Sequence, residues 1–262
     1  MERTDPITPG GTPLVYGTLT PYYERILSYP DFYPTLGRHI VRMLAELAPA
    51  ASIILEVGAG TCPMHGLGLY PPRRKVIYSD LSFRMLAHAP APNPPNRVAA
   101  DVLALPFKGP FDACIMLLDG INYLLSEREI ARALGEVFRL LKSGGVFILN
   151  TASEAHCRGP LNGISSKGSL PGCDYTLKCD FDPPKRQFRT AFTFLIEQAD
   201  GTWAKKEEVH VQRIYDEATI RRLASDAGYG LEGYSLGLEW GSPDPASSQI
   251  HYGLRKPMPS RS

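Results

Sequence analysis

Hydrophobic positions along the chain change period several times, and each change predicts an element. Ile53 to Val57 is apolar except for Glu56, which predicts a strand covered on both faces. Lys75 to Ser79 predicts a second strand ending in Asp80, and Arg97 to Ala100 a third. Apolar residues at helical spacing precede these strands: Ile26 and Leu27, then Leu36, Ile40, Val41, Leu44 and Leu47. Pro30 and Pro34 are expected to break that stretch into two helices. Leu81 to His88, Glu129 to Leu141 and Glu217 to Ala227 also read as helices. Strands alternating with helices predict an α/β structure on a parallel sheet.

Beyond Asn150 the period changes to two. Gln187 to Glu197 and Trp203 to Tyr215 alternate apolar and polar residues, with Ala199-Asp200-Gly201 as the hairpin turn between them. Tyr175 to Phe181 offers a further strand. So long an interval before the Glu217 helix predicts a functional insertion, read as a substrate cover or an oligomer contact. Leu231 to Trp240 and Gln249 to Arg255 are the last two expected strands. Residues 1–13, rich in Pro, Gly and Thr, predict a mobile arm, and Pro257 to Ser262 a frayed tail.

Glycines mark the turn after the first strand. Gly58 and Gly60 permit a tight bend and a close backbone approach to a ligand, at the strand end where open α/β sheets bind nucleotide-like cofactors. Thr61-Cys62-Pro63 follows, so the third glycine of a dinucleotide fingerprint is missing. Glu56 can meet a ligand's amino group or organise the amides of the loop. Asp80 has the spacing of an acidic residue that takes ribose hydroxyls. Ser82 serves as a helix cap as well as Asp80 would, which leaves Asp80 for a ligand. Leu103 to Phe107 forms a short apolar loop suited to one face of an adenine.

Glu56-Val57-Gly58-Ala59-Gly60-Thr61, Tyr78-Ser79-Asp80-Leu81-Ser82, Asp101 to Phe107, Phe111 to Leu118 and Leu140 to Ile148 occur in that order. Together they resemble the class I S-adenosylmethionine-dependent methyltransferases, small-molecule N- or O-methyltransferases in particular, with Phe111 to Leu118 as the family's fourth strand and the fifth following Gly144-Gly145 and ending near Asn150. The resemblance implies a Rossmann-like α/β fold: a seven-stranded sheet with an antiparallel last strand, an amino-terminal helical lid and a small antiparallel β insertion. Its implied division is 1–48 for arm and lid, 49–150 for the cofactor-binding core, 151–215 for the cover, and 216–262 for the closing helix and strands. S-adenosyl-L-methionine is the implied cofactor. Glu56, Gly58, Ala59 and Gly60 would lie at its methionine end, Asp80 and Leu81 at the ribose, and Asp101 and Val102 at the adenine. Leu118 and, from an aromatic amino-terminal segment that folds over the cofactor, Tyr16 and Tyr23 complete the implied set. Tyr16, Tyr22 and Tyr23 can equally pack beneath a helix. Cys62 stands where many members carry a third glycine, and Ser143 where many carry a proline.

The resemblance puts the chemistry at the end of the fourth strand, where Asp119, Asn122 and Tyr123 would face the methyl group. Some similar amino-sugar N-methyltransferases carry a His at the position of Tyr123, and a tyrosine orients a nucleophile better than it deprotonates one at neutral pH. Tyr123 and Asp119 are therefore candidate catalytic groups. His156, just past the fifth strand, and Glu208 and His210, on the insertion, are the candidate bases.

Two motifs point elsewhere. Glu129 to Gly135 looks like half of a DNA-binding helix-turn-helix, but the pattern runs on as one helix. Asn93-Pro94-Pro95-Asn96 resembles a motif of base and amide methyltransferases, but it precedes the third strand instead of ending the fourth. A net charge of +1 gives no field for nucleic acid or an anionic membrane. The first thirty residues hold Glu2, Asp5, Glu24 and several prolines, against a signal peptide or membrane span, and a cytoplasmic enzyme is expected. Five cysteines without paired spacing read as free thiols, and no metal site is expected of His156, Cys157, Cys173 and Cys179. The expected partner is a small-molecule acceptor, and exposed edges of the insertion leave a homodimer open. Two other readings stay open: a non-catalytic S-adenosylmethionine-binding sensor or assembly subunit, and, further off, a nicotinamide oxidoreductase.

Overall fold

The computed structural model describes residues 15–27, 31–70, 73–89, 94–236 and 248–259. The expected arm over 1–13, Pro30, Asn93, the 237–240 end of a predicted strand and the last three residues of the tail lie outside them. In chain order the elements are α1 (Tyr23–Leu27), α2 (Phe32–Leu47), β1 (Ile53–Val57), α3 (Pro63–Gly66), β2 (Lys75–Asp80), α4 (Phe83–Ala87), β3 (Arg97–Ala99) and β4 (Phe111–Met116). Then follow α5 (Glu127–Leu140), β5 (Leu141–Ala152), α6 (Glu154–Arg158), β6 (Ser165–Leu170), β7 (Cys173–Asp182), β8 (Gln187–Glu197), β9 (Trp203–Arg213), α7 (Glu217–Asp226), β10 (Gly230–Leu236) and β11 (Gln249–Arg255).

The main sheet has seven strands in the order β3-β2-β1-β4-β5-β11-β10. β11 runs antiparallel to both neighbours, and the other pairings are parallel. This is the Rossmann-like sheet that the resemblance implied. Alternate residues of the central strands feed two cores, which is why the runs are apolar throughout. Ile54, Ile115 and Ile148 pack with Leu36, Ile40 and Leu44 of α2 on one face. Leu55, Cys114 and Phe147 pack with Ile130, Leu134 and Val137 of α5 and Ile220 and Leu223 of α7 on the other. The chain leaves β1 toward β2 on one side and returns to β4 on the other. That reversal opens a crevice at the carboxyl ends of β1 and β4.

A second sheet, β6-β7-β8-β9, is an antiparallel meander. Phe192, Phe194 and Cys173 on its inner face form a cluster with Leu19, against which Tyr16, Tyr22, Tyr23 and Ile26 pack. The amino-terminal segment and the insertion therefore share a core of their own.

Several expectations are corrected. Pro34 does not break the second helix; it lies in the first turn of α2, where its missing N–H costs no hydrogen bond. β6 carries no apolar alternation and is formed only by pairing with β7. β9 ends at Arg213, so Ile214 and Tyr215 are buried outside the strand. As the sequence pattern required, α5 is one helix; it has a complete capping box between Ser126 and Glu129 and runs directly into β5. No helix among the described residues is long and apolar enough to cross a membrane.

Candidate active site

The turn after β1 is built on left-handed residues: Gly58 at φ 65°, Gly60 at φ 55° and Cys62 at φ 56°. The Ala59 amide donates to the Ser79 carbonyl at 2.9 Å. The Gly60 amide donates to Asp80 Oδ2 and the Ser82 amide to Asp80 Oδ1, both at 2.8 Å. Asp80 is thus not left wholly to a ligand: it ties the β1 turn to the β2 turn, and each oxygen keeps a lone pair. Burial raises its pKa against the pull of those two amides. Ser82 caps α4 by accepting from the Met85 amide, and Leu81 is exposed beside Asp80.

Glu56, only 3% exposed, accepts from the Tyr70 hydroxyl at 2.8 Å. Burial pushes its pKa up to about 7, and the tyrosine restrains the rise. The amino-terminal helix reaches the same turn, since Thr61 donates its hydroxyl to Glu24. Tyr23 and Tyr33 are hydrogen-bonded to one another nearby. Farther along the crevice, Asp101 accepts from the Leu103 amide and starts the turn at Val102. That loop is tied down by Arg132 and Glu136 of α5, which bond the Leu103 carbonyl and Leu105 amide.

The turn after β4 holds two consecutive left-handed residues, Leu118 at φ 56° and Asp119 at φ 58°. Such non-glycine positions cost on the order of 1 kcal/mol or more each and persist only where the surroundings impose them. Here Asn150 Nδ2 donates to Asp119 Oδ1 at 2.9 Å, and Gln212 Nε2 donates to the Asp119 carbonyl at 3.3 Å. Burial raises the Asp119 pKa to about 7 despite bonds from Gln249 and Asn150. Asn122 does not face an acceptor. Its Nδ2 donates to the Arg213 carbonyl at 2.7 Å and its Oδ1 accepts the Ala152 amide at 3.0 Å, welding this corner to β9 and β5.

Tyr123 begins a chain of polar side chains. Its hydroxyl lies 2.9 Å from His210 Nδ1, and His210 Nε2 lies 2.9 Å from Glu208 Oε1. The Tyr16 hydroxyl lies 2.7 Å from that of Tyr123. Tyr16 also stands edge-on to His210 at 4.7 Å and to Tyr23 at 5.7 Å between ring centroids. Glu208 and His210 sit two residues apart on β9 and so share its inner face. Burial raises the pKa of both Tyr16 and Tyr123. The structure therefore brings Tyr16, Tyr23, Tyr123 and His210 together. It does not bring His156 to them: that residue of α6 donates its amide to Ser153 Oγ and accepts the Leu161 amide at its carbonyl, both at 3.1 Å, and burial lowers its pKa. Sequence reasoning missed Asn150 and Gln212, which hold Asp119 from distant strands. The five cysteines are buried free thiols, and among the described residues no cluster suits a metal.

The methyltransferase-domain family matches residues 54–145. A Geobacillus sp. (strain WCH70) protein assigned as a methyltransferase is 23% identical over 93% of this chain and 100% of its own length. The fold is that of an S-adenosylmethionine-dependent methyltransferase from Clostridium acetobutylicum, with a TM-score of 0.77 at 18% identity over 92% of this chain and 99% of that one. The sugar N-methyltransferase KedS8 from Streptoalloteichus sp. superposes with a TM-score of 0.73 at 19% identity, over 98% of this chain and 99% of its own. Residues 54–145 thus match a methyltransferase domain, carried on the fold of S-adenosylmethionine-dependent methyltransferases.

Proposed function

We propose that this protein uses S-adenosyl-L-methionine as its cofactor to move a methyl group to an amine nitrogen or a hydroxyl oxygen of a small polar molecule. The observation that carries the reading is the Glu208–His210–Tyr123 chain, which ends beside Asp119 at the terminus of β4. The donor set of the crevice fits the cofactor: carboxylates for hydroxyl and ammonium groups, tyrosine rings for a cation, and a glycine turn for close approach. Glu56, Gly58, Ala59 and Gly60 would hold the methionine end, Asp80 and Leu81 the ribose, Asp101 and Val102 the adenine. Tyr16, Tyr23 and Leu118 would close over them. When bound, the cofactor supplies a methyl group on a sulfonium, activated for in-line displacement.

The protein's share is alignment and removal of a proton. Alignment alone accounts for several orders of magnitude in rate. Tyr123 is a poor base by itself, because burial raises its pKa. Joined to His210, it can take the proton of the attacking nitrogen or oxygen while passing its own to Nδ1. The new nitrogen–carbon or oxygen–carbon bond forms as the sulfur–carbon bond breaks, and the proton rests on His210 beside the Glu208 carboxylate. A small acceptor is favoured because the amino-terminal segment and the second sheet pack together above the β4 terminus. Amino sugars are the first candidates, given the sugar N-methyltransferase among the similar folds.

The test is release of S-adenosylhomocysteine with a panel of amino sugars, small amines and phenols. Turnover is expected with at least one of them. Tyr123→Phe should lower kcat about 10²-fold or more while S-adenosylhomocysteine affinity is kept. Full turnover by Tyr123→Phe would overturn the assignment.

A further inference from the structure

Glu208 has a saturated carboxylate. Oε1 accepts the Tyr16 amide at 2.5 Å and faces His210 Nε2 at 2.9 Å. Oε2 accepts the amides of Thr18 at 2.6 Å and Leu19 at 3.0 Å. The residue is 9% exposed. Burial would raise its pKa, but the bonds from His210 and the Leu19 and Thr18 amides outweigh it and hold the group ionised.

An ionised carboxylate only accepts, so Nε2 of His210 must carry a proton. In the neutral imidazole the lone pair is then on Nδ1, and the Tyr123 hydroxyl donates to it. The Tyr123 oxygen is left to accept from the Tyr16 hydroxyl and from one further donor, the N–H or O–H of an acceptor. The proton path thus has a direction, and Glu208 sets it. The same carboxylate is the anchor of the segment that carries Tyr16.

We propose that Glu208 is a positioning residue that joins two events: seating of residues 16–19 over the site, and fixing of His210 in the form that withdraws a proton through Tyr123. With the segment withdrawn, the carboxylate turns to water, the His210 tautomer is released, and Tyr16 leaves Tyr123. Proton removal is then confined to the covered state. This rests on the methyl-transfer reading for its direction, but the tautomer itself is read without any turnover.

Glu208→Gln tests the coupling. A carboxamide presents one acceptor and one donor, so it cannot satisfy both the three amides and the imidazole N–H. Either the tautomer inverts to Nδ1–H, or the Thr18 and Leu19 amides lose their acceptor. Nitrogen-15 shifts of the His210 ring and hydrogen exchange of residues 16–19 report the two sides separately. At least one should change, with kcat down tenfold or more. Glu208→Asp, which keeps the charge, should restore the Nε2–H form. An unchanged tautomer together with unchanged protection in Glu208→Gln would overturn the proposal. Should Glu208→Gln not fold, the unaltered protein carries the test: S-adenosylhomocysteine should slow exchange at Thr18, Leu19 and His210 Nε2–H together. Slowing at the amides alone would overturn the coupling, whereas no binding of S-adenosylhomocysteine would count against the site reading instead.

Discussion

Asp119 shows how one residue can serve the site at a cost to the fold. Its backbone is left-handed, and burial lifts its pKa from 3.8 to about 7. The native state therefore binds a proton more tightly than the unfolded chain does. The stability that this group contributes is present in full below about pH 4 and is lost as pH rises toward 7. Glu56, raised from 4.5 to about 7, acts in the same sense. A shift of about three units corresponds to about 4 kcal/mol, and partial exposure of Asp119 makes roughly half of that the expected effect. Asp119→Asn keeps an oxygen for Asn150 and removes the titration. Urea unfolding at pH 5 and pH 7.5 should show the wild type losing about 1–1.5 kcal/mol more than the variant across that interval. An equal loss in both would mean that Asp119 ionises without penalty. Little of this was legible in the chain. Asp119 and Tyr123 could be placed at a strand terminus from the apolar run before them, but the side chains that hold Asp119 come from β5, β9 and β11. Asn150 and Gln212 look like ordinary strand-end polar residues in a sequence.

Among the elements, those with a strict period were legible and those held only by a neighbour were not. β8 has its predicted bounds because Phe188, Phe192, Phe194 and Ile196 keep one register between Gln187 and Glu197. β6 has no such signal: its Ser-Ser-Lys-Gly-Ser-Leu sequence is a strand only because β7 offers a ladder. The corner between β4, β5 and β9 depends in the same way on a side chain, Asn122, which is fully buried. Asn122→Ala would leave the Arg213 carbonyl and the Ala152 amide without that partner, at a cost of about 2–4 kcal/mol. The denaturant midpoint should fall with the slope unchanged, and the Ala152 amide should exchange faster. Because β9 also carries Glu208 and His210, turnover should fall further than stability predicts at temperatures where the variant is folded. A variant of wild-type stability would show that water replaces the amide at that corner.

At the scale of the whole molecule, the site has a floor and a roof with different supports. The floor is the end of a seven-stranded sheet packed on both faces by helices. The roof is the segment before α1 laid on the inner face of the second sheet, with Phe194 stacked on Phe192 at 5.7 Å and on Tyr22 at 5.8 Å. The two meet through polar groups that bind one part to the other, such as Thr61 with Glu24 and Tyr123 with His210. One small apolar cluster, Ala152 and Cys157 with Cys179, Phe181 and Phe188, joins the sheets at one end, and hydrogen bonds close the roof over the β1 and β4 turns. Removing packing from the roof alone should separate the two in energy. Phe194→Ala empties a fully buried position and should cost about 3–5 kcal/mol locally. The cluster it weakens is separate from the helix-covered cores, so the loss should fall on the roof. Hydrogen exchange should rise across residues 16–27 and β7 to β9 while β1, β4 and β5 keep their protection. On the proposed cofactor site, S-adenosylhomocysteine should bind at least tenfold more weakly, since Tyr16 and Tyr23 pack on the weakened cluster. If exchange rose evenly through both sheets, roof and floor would be one cooperative unit, and opening of the site would require unfolding of the whole.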